Sequence, residues 1–293
     1  MHVPVLKDEV LETLAIKPGG TYIDGTFGRG GHTREILVAG GKVIAFDQDA
    51  DAISAGNESF AQELADGSLT LIHANFSQLH QHLTSLEIAP RSVAGALFDL
   101  GMSSNQLDES GRGFSFQREE PLDMRMNQDL GVTAADLLNA LPEKHLKALF
   151  WENSQETFAG AIARAIVNRR EKQPWATTKE LAELISHIKR GRQESKIHPA
   201  TKVFQALRIA VNMELDSLTM LLDQVLPWMQ SGGRLAFISF HEGEDRLVKQ
   251  AFRQWERLGK GLQMGSKPIM PTEEEIARNP RSRSAKLRVM ELV

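Results

Sequence analysis

Cysteine is absent from the 293 residues. That excludes a disulfide framework, a thiolate zinc site, an iron–sulfur cluster and any cysteine nucleophile. Long apolar runs are also missing. None approaches the roughly 18 residues that a membrane helix needs, so no membrane partner is expected. The opening Met1-His2-Val3-Pro4-Val5 carries neither a basic n-region nor an apolar h-region. No signal peptide is expected there, and the chain reads as soluble and cytoplasmic. No His-Glu-x-x-His spacing and no Gly-x-Ser-x-Gly elbow occurs, so zinc hydrolysis and serine hydrolysis fit poorly and no metal is expected.

What is present is an ordinary globular balance, 41% hydrophobic and 25% charged, enough to bury a core unaided. The length suits one or two domains. The net charge of −4 says little, but its distribution says more. Between Phe158 and Ala210 eleven Lys/Arg stand against four Glu and no Asp. Between Ala277 and Met290 four Arg and one Lys meet no acid. Such segments offer phosphate a local footprint. Solvated helix faces and a basic tail explain them as well.

Short apolar runs alternate with helical spacing through the first hundred residues. Strands are expected at 21–24, 42–47, 69–73 and 93–99, with a helix from Asp51 to Leu64. This βαβα order with near-continuous apolar strands argues for a parallel sheet covered on both faces. The strand signal then lapses. Helices are expected at about 133–150, 156–172 and 177–190, broken near Pro142, Pro174 and Gly191. A helix at 215–229, a strand at 234–240, a helix at 244–258 and an alternating strand at 286–292 follow. The economical reading is an α/β domain over 1–109 and 211–293, interrupted by an all-α domain over 110–210.

The first candidate site is Asp24-Gly25-Thr26-Phe27-Gly28-Arg29-Gly30-Gly31-His32. Glycines after a first strand let backbone N–H groups approach a ligand. Asp47 ends the second strand, where a carboxylate can accept hydrogen bonds from ribose hydroxyls. The spacing differs from the dinucleotide Gly-x-Gly-x-x-Gly. Asp24 would repel a pyrophosphate but can hold the amino end of a methionine moiety, so S-adenosylmethionine is favoured. A nicotinamide-dependent oxidoreductase stays open on these residues, as does a tight turn with an exposed Asp. Asp24, Asp47 and Asp99 all end expected parallel strands, and ligands bind outside such carboxyl ends. Asp99 opens Asp99-Leu-Gly-Met-Ser-Ser-Asn-Gln106, where Gln106 could bond the cofactor or an amine. Phe76 follows strand three and either flanks an adenine or belongs to the core. Arg112, Arg125, Arg281 and Arg283 lie in runs rich in aromatic and turn residues, a composition that suits phosphate and unpaired bases. Domain-junction turns with ordinary ion pairs suit it equally.

Taken together these runs resemble one family, the bacterial S-adenosylmethionine-dependent 16S ribosomal RNA cytosine-N4 methyltransferases (RsmH or MraW). The resemblance covers nearly the whole chain. It rests on His2-x-Pro4-Val5-Leu6, Asp24 to His32, Asp99 to Asp108, Arg112-Gly-Phe-Ser-Phe116, Pro121-Leu-Asp-Met-Arg-Met126, His198 to Arg208, and Asn279 to Arg288. It implies a class I, Rossmann-like methyltransferase fold with an inserted all-α substrate domain. It implies cofactor contacts from Gly30, Gly31, His32, Asp47, Phe76, Asp99 and Gln106, and a cytidine of the decoding region of 16S rRNA, within the small ribosomal subunit, as acceptor. Arg112, Arg125, Arg208, Arg281 and Arg283 are then expected to face RNA. A homodimer is among the assemblies left open.

Two stretches depart from the family pattern. Ser239-Phe-His-Glu242-Gly243-Glu-Asp-Arg246 stands where Ser-Phe-His-Ser-Leu-Glu-Asp-Arg is usual, and Asn153-Ser154-Gln155 stands where Gly-Glu-Glu is usual. Neither touches a position matched to the cofactor. Methyl transfer is an in-line displacement, so positioning is the principal expected device. A cytosine amine is a poor nucleophile, because its lone pair is delocalised. An acceptor beside it localises that pair and takes the proton, a role expected of Asp99 or a nearby carbonyl. Methylation at a ring carbon commonly uses a cysteine nucleophile, which this chain lacks. A non-catalytic RNA-binding or assembly protein on the same fold is the alternative.

Overall fold

A computed structural model of the chain describes residues 4–103, 106–107, 110–191 and 198–293. His2, Ser104, Asn105 and Asp108 of the quoted motifs, and Arg192 and Lys196 of the basic window, lie outside the described residues. The chain divides into two compact units, 1–101 with 215–293, and 102–214.

The first unit is built on seven strands: β1 Thr21–Asp24, β2 Lys42–Asp47, β3 Leu69–His73, β4 Val93–Asp99, β5 Met229–Ser239, β6 Gly261–Gln263 and β7 Lys286–Leu292. Their order is β3-β2-β1-β4-β5-β7-β6. Strands β1 to β5 are parallel, and β7 runs antiparallel to both β5 and β6. The order therefore reverses between β1 and β4, the place where open parallel sheets bind ligands.

Side-chain alternation sorts each strand into two apolar layers. On one face Ile23, Ile44, Phe46, Phe98, Leu235 and Phe237 meet Leu218 and Leu221 of helix Glu214–Gln224, and Val248, Phe252 and Trp255 of helix Glu242–Arg257. On the other, Tyr22, Val43, Ala45, Leu97, Ala236 and Ile238 meet Val10 and Leu14 of helix Lys7–Leu14 and Ile36 of helix Gly31–Val38. Both faces being covered, the strands read as continuous apolar runs.

The single helix expected over 51–64 is two, Ala50–Ser59 and Ala61–Ala65. Phe60 lies between them at φ −126°, and its buried ring sets its edge against Phe27 at 5.5 Å. Burying that ring outweighs one uninterrupted helix. Strand β6 carried no sequence signal, since three residues are too few to show a period.

The second unit is helical. Its elements are Ala134–Ala140, Glu143–Ser154, Ala159–Arg170, Thr178–Lys189 and Thr201–Val211. Thr133 and Asp136 form a capping box at the first, and Leu141 turns extended before Pro142 to end it. Leu138, Phe150, Ile162, Ile166, Trp175, Leu181 and Phe204 fill the core.

Candidate active site

Three carboxylates close the carboxyl ends of β1, β2 and β4. Asp47 is held by two backbone donors. Gly28 N–H gives 2.7 Å to Oδ2 and Asp49 N–H gives 2.9 Å to Oδ1. Gly28 reaches that position at φ +54°, where a side chain would be strained. Each carboxylate oxygen keeps a second acceptor direction for a ligand hydroxyl. Burial pushes Asp47 up to about 6, against the two N–H bonds that favour the anion, with the Asp49 and Asp24 charges adding to the rise.

Asp24 is 1% exposed. Its Oδ2 accepts the Thr33 hydroxyl at 2.6 Å and its Oδ1 accepts Thr26 N–H at 3.1 Å. Burial raises its pKa against those bonds. Both Asp24 oxygens are thus engaged locally, by Thr26 and Thr33. Its charge adds to the rise of the neighbouring Asp47 and Asp99 carboxyls.

Asp99 is raised well above the usual carboxylate range, first by burial and then by the charges of Asp24 and Glu244. Its Oδ1 is buried without a hydrogen-bond partner among the described residues. Its Oδ2 lies 3.8 Å from Nε2 of the buried His32, an ion pair only when that ring is protonated. An unsatisfied buried acceptor beside like charges is costly. A ligand with cationic or N–H groups relieves it. S-adenosylmethionine carries a sulfonium, an ammonium and a ribose diol, so this donor set fits it.

The glycines of the run serve packing as much as approach. A Cβ on Gly25 would overlap the Phe98 ring, and one on Gly30, at φ +70°, would meet Phe60 at 2.5 Å. Gly31 faces Pro4 in the same way. Phe76 is half-buried with its ring edge toward Phe98 at 6.1 Å, so it is a core residue on at least one side. Gln106 belongs to the second unit, where its Oε1 accepts Ser103 N–H at 2.9 Å.

Three of the five arginines expected to face RNA are engaged within the second unit, and of these Arg112 is the buried one. Arg112 is buried and donates to the carbonyls of Arg125, at 3.2 Å, and Met126, at 2.9 Å. Arg125 grips Asp123 with Nε and a terminal nitrogen, both at 2.8 Å. Arg208 forms the same two-pronged pair with Glu214 at 2.8 Å. Each holds the second unit together. Arg281 and Arg283 are exposed on the short helix Pro280–Ser284. The basic window is likewise partly internal, since Arg169 pairs with Glu180 and Lys189 with Glu156.

The departures from the family pattern have local partners. Glu242 bonds Lys286 Nζ at 2.6 Å on the surface. Asn153 Nδ2 donates to Ala206 O at 3.1 Å, and Gln155 ends its helix at φ +52°. Sequence reasoning gave no role to Thr26, Thr33 or Glu244. Thr26, two residues past Asp24, has the spacing of an Asx turn, which is a readable signal. Glu244, three residues past His241, has that of a capping box. Thr33 gave none.

A family model described as the MraW methylase family matches residues 1–293. "Ribosomal RNA small subunit methyltransferase H" of Magnetococcus marinus is 46% identical, over 98% of this chain and 97% of its own. The relatives of that name from Koribacter versatilis and Idiomarina loihiensis are 47% and 45% identical, each over 98% of this chain and over 92% and 96% of their own. Among solved structures, a putative methyltransferase from Streptococcus mutans in complex with SAH aligns over 100% of both chains at 13% identity and TM-score 0.47.

Proposed function

Because the chain belongs to the MraW methylase family and is an S-adenosylmethionine-dependent ribosomal RNA methyltransferase, we propose that its acceptor is the N4 amine of a cytidine in the decoding region of 16S rRNA. The observation that supports this is Asp99, a carboxylate at the end of β4 with a buried oxygen that no described residue satisfies.

Bound S-adenosylmethionine supplies an electrophilic methyl group on a sulfonium. The residues do the rest. Asp47, fixed by Gly28 and Asp49, would hold the ribose hydroxyls. Asp24 and Asp99 give the site the negative charge that a cationic cofactor needs, and that cofactor in turn favours their ionised forms. A carboxylate whose pKa is pushed up is, once ionised, a stronger proton acceptor than an ordinary one. Asp99 would accept a hydrogen bond from the amine, localise its lone pair on the nitrogen, and take the proton the amine sheds as the new C–N bond replaces the methyl–sulfur bond, the sulfur leaving as a neutral thioether. Positioning provides most of the remaining acceleration.

The 102–214 unit is read as the substrate-recognition domain, and the exposed Arg281 and Arg283 as phosphate contacts. A ribosomal substrate goes with a cytoplasmic enzyme. A homodimer goes with the same reading, and light scattering checks it.

The test is methyl transfer from labelled cofactor to small subunits lacking native modification, followed by nucleoside mass spectrometry. N4-methylcytidine is the expected product. Methyl on a ring carbon or on another base overturns the assignment.

A further inference from the structure

The second unit carries one large aromatic that its own core does not need. Trp151, on helix Glu143–Ser154, is 55% exposed. The other tryptophans, Trp175, Trp228 and Trp255, are all buried. Trp151 shares a stripe with exposed lysines. Lys144 lies seven residues before it and Lys147 four, spacings that bring side chains to one helix face. The stripe continues through Gln155, whose N–H bonds Trp151 O at 2.8 Å. Lys202 Nζ sits on Gln155 O at 3.1 Å, so a third ammonium stands at that end. Acids nearby are few. Glu143 faces Arg164 at 3.5 Å, and Glu152 is exposed on the adjoining face.

A protein interface wants something else. Its buried centre is apolar, enriched in aromatics and arginine, and depleted of lysine. Among the described residues no other large hydrophobic of this helix is exposed. A lone indole flanked by lysines has instead the two parts of a sequence-tolerant single-strand contact. A π-face stacks a base, and ammonium groups track the adjacent phosphates. We propose that Trp151, with Lys144, Lys147 and Lys202, is a stacking platform for an unpaired base of the ribosomal RNA substrate. This rests on the reading of the chain as a ribosomal RNA methyltransferase and adds a contact outside the glycine-rich site, with Trp151, Lys144 and Lys147 lying before the basic window and Lys202 within it.

The same tryptophan reports the test, since the buried three contribute little to quenching by a surface ligand. Wild-type enzyme is titrated with small subunits lacking native modification and, separately, with protein-free 16S rRNA, while fluorescence and methyl transfer are followed. Quenching by both substrates is expected. Trp151→Ala should raise KM roughly 5- to 100-fold, the range of one lost base stack. Its kcat, cofactor Kd and Tm should stay near wild type. Trp151→Phe keeps a π-face and should restore most of the affinity, which a merely structural role would not produce. Lys144→Glu with Lys147→Glu should weaken binding and flatten its salt dependence. A KM for Trp151→Ala within twofold of wild type overturns the platform. So does quenching by subunits but not by free RNA, which would assign the patch to a ribosomal protein. Failure of the wild type to methylate either substrate would instead sink the methyltransferase reading itself.

Discussion

The hydroxyl of Thr26 accepts the backbone N–H of Asp99 at 2.7 Å, tying the turn after β1 to the end of β4. The N–H of the same threonine donates to Asp24 Oδ1 at 3.1 Å. One small residue thus sets the spacing of two acids across the switch point of the sheet. Thr26→Val keeps the shape and removes the acceptor, leaving the Asp99 N–H unpaired at a cost of about 1–3 kcal/mol. Its kcat should fall while cofactor Kd holds, and Thr26→Ser should recover both rate and stability. Denaturant midpoints and single-turnover methyl transfer read this. Equal rates for the Val and Ser variants would mean that the bond does not position Asp99.

Asp99 is pressed by Asp24, by Glu244 and by its own burial. Asp99→Asn removes a carboxylate the apo fold holds at a disadvantage, and it removes the proton acceptor. The variant should melt higher than wild type without cofactor and turn over about 10²- to 10⁴-fold more slowly, the usual range for a lost general base. Calorimetry and rate assays on one preparation decide. A slower enzyme that is also less stable would place Asp99 in the framework instead.

The Asp47 carboxyl titrates near 6 in the fold, above its ordinary value of 3.8. Between those two pH values the folded chain holds a proton that the unfolded chain has released. This group's contribution to apo stability is therefore greatest below pH 4 and is lost as pH rises through 6. Cofactor binding runs the opposite way, since ribose hydroxyls need an ionised acceptor. The stabilisation conferred by S-adenosylmethionine should accordingly grow from pH 5 to 7.5. Thermal shifts measured across that range with saturating cofactor check it, and a flat profile would remove Asp47 from the ribose.

Much of the site was legible because chemistry and period coincide at strand ends. Asp24, Asp47 and Asp99 each close an apolar run, and β1, β2, β3 and β4 lie at 21–24, 42–47, 69–73 and 93–99 as the runs predict. Arginines were harder to read. Arg112 and Arg125 sit among aromatic and turn residues, as a nucleic-acid face would, yet Arg112 bonds the Met126 carbonyl and Arg125 grips Asp123, while Arg208, expected at RNA from the resemblance alone, pairs with Glu214. A carbonyl acceptor leaves no trace in the sequence. The helical spacing of Phe60 predicts one long helix, while the fold breaks the helix there and buries its ring.

Lys189 and Glu156 form a 2.5 Å ion pair, each side chain almost fully buried, and Lys189 Nζ also donates to Pro199 O at 2.7 Å. Removing one partner strands a buried charge. Lys189→Met should therefore destabilise the 102–214 unit by about 3–5 kcal/mol, whereas the double change with Glu156→Leu should recover most of the loss. A double-mutant cycle on denaturation midpoints measures the coupling. Two additive losses would mean that the charges are not paired in solution.

Arg281 and Arg283 are exposed, and Arg112 is buried against two carbonyls. The same substitution should therefore act in two different ways. Arg281→Ala or Arg283→Ala should each lower the slope of log K against log salt for RNA binding by about 1, with melting unchanged. Arg112→Ala strips donors from the carbonyls of Arg125 and Met126, each worth about 1–3 kcal/mol when left unsatisfied. It should lower Tm and leave the salt slope of the folded fraction where it was. Salt titrations of labelled rRNA fragments, run beside melting curves, separate the two. A reduced slope in the Arg112 variant at full folding would return that guanidinium to the RNA face.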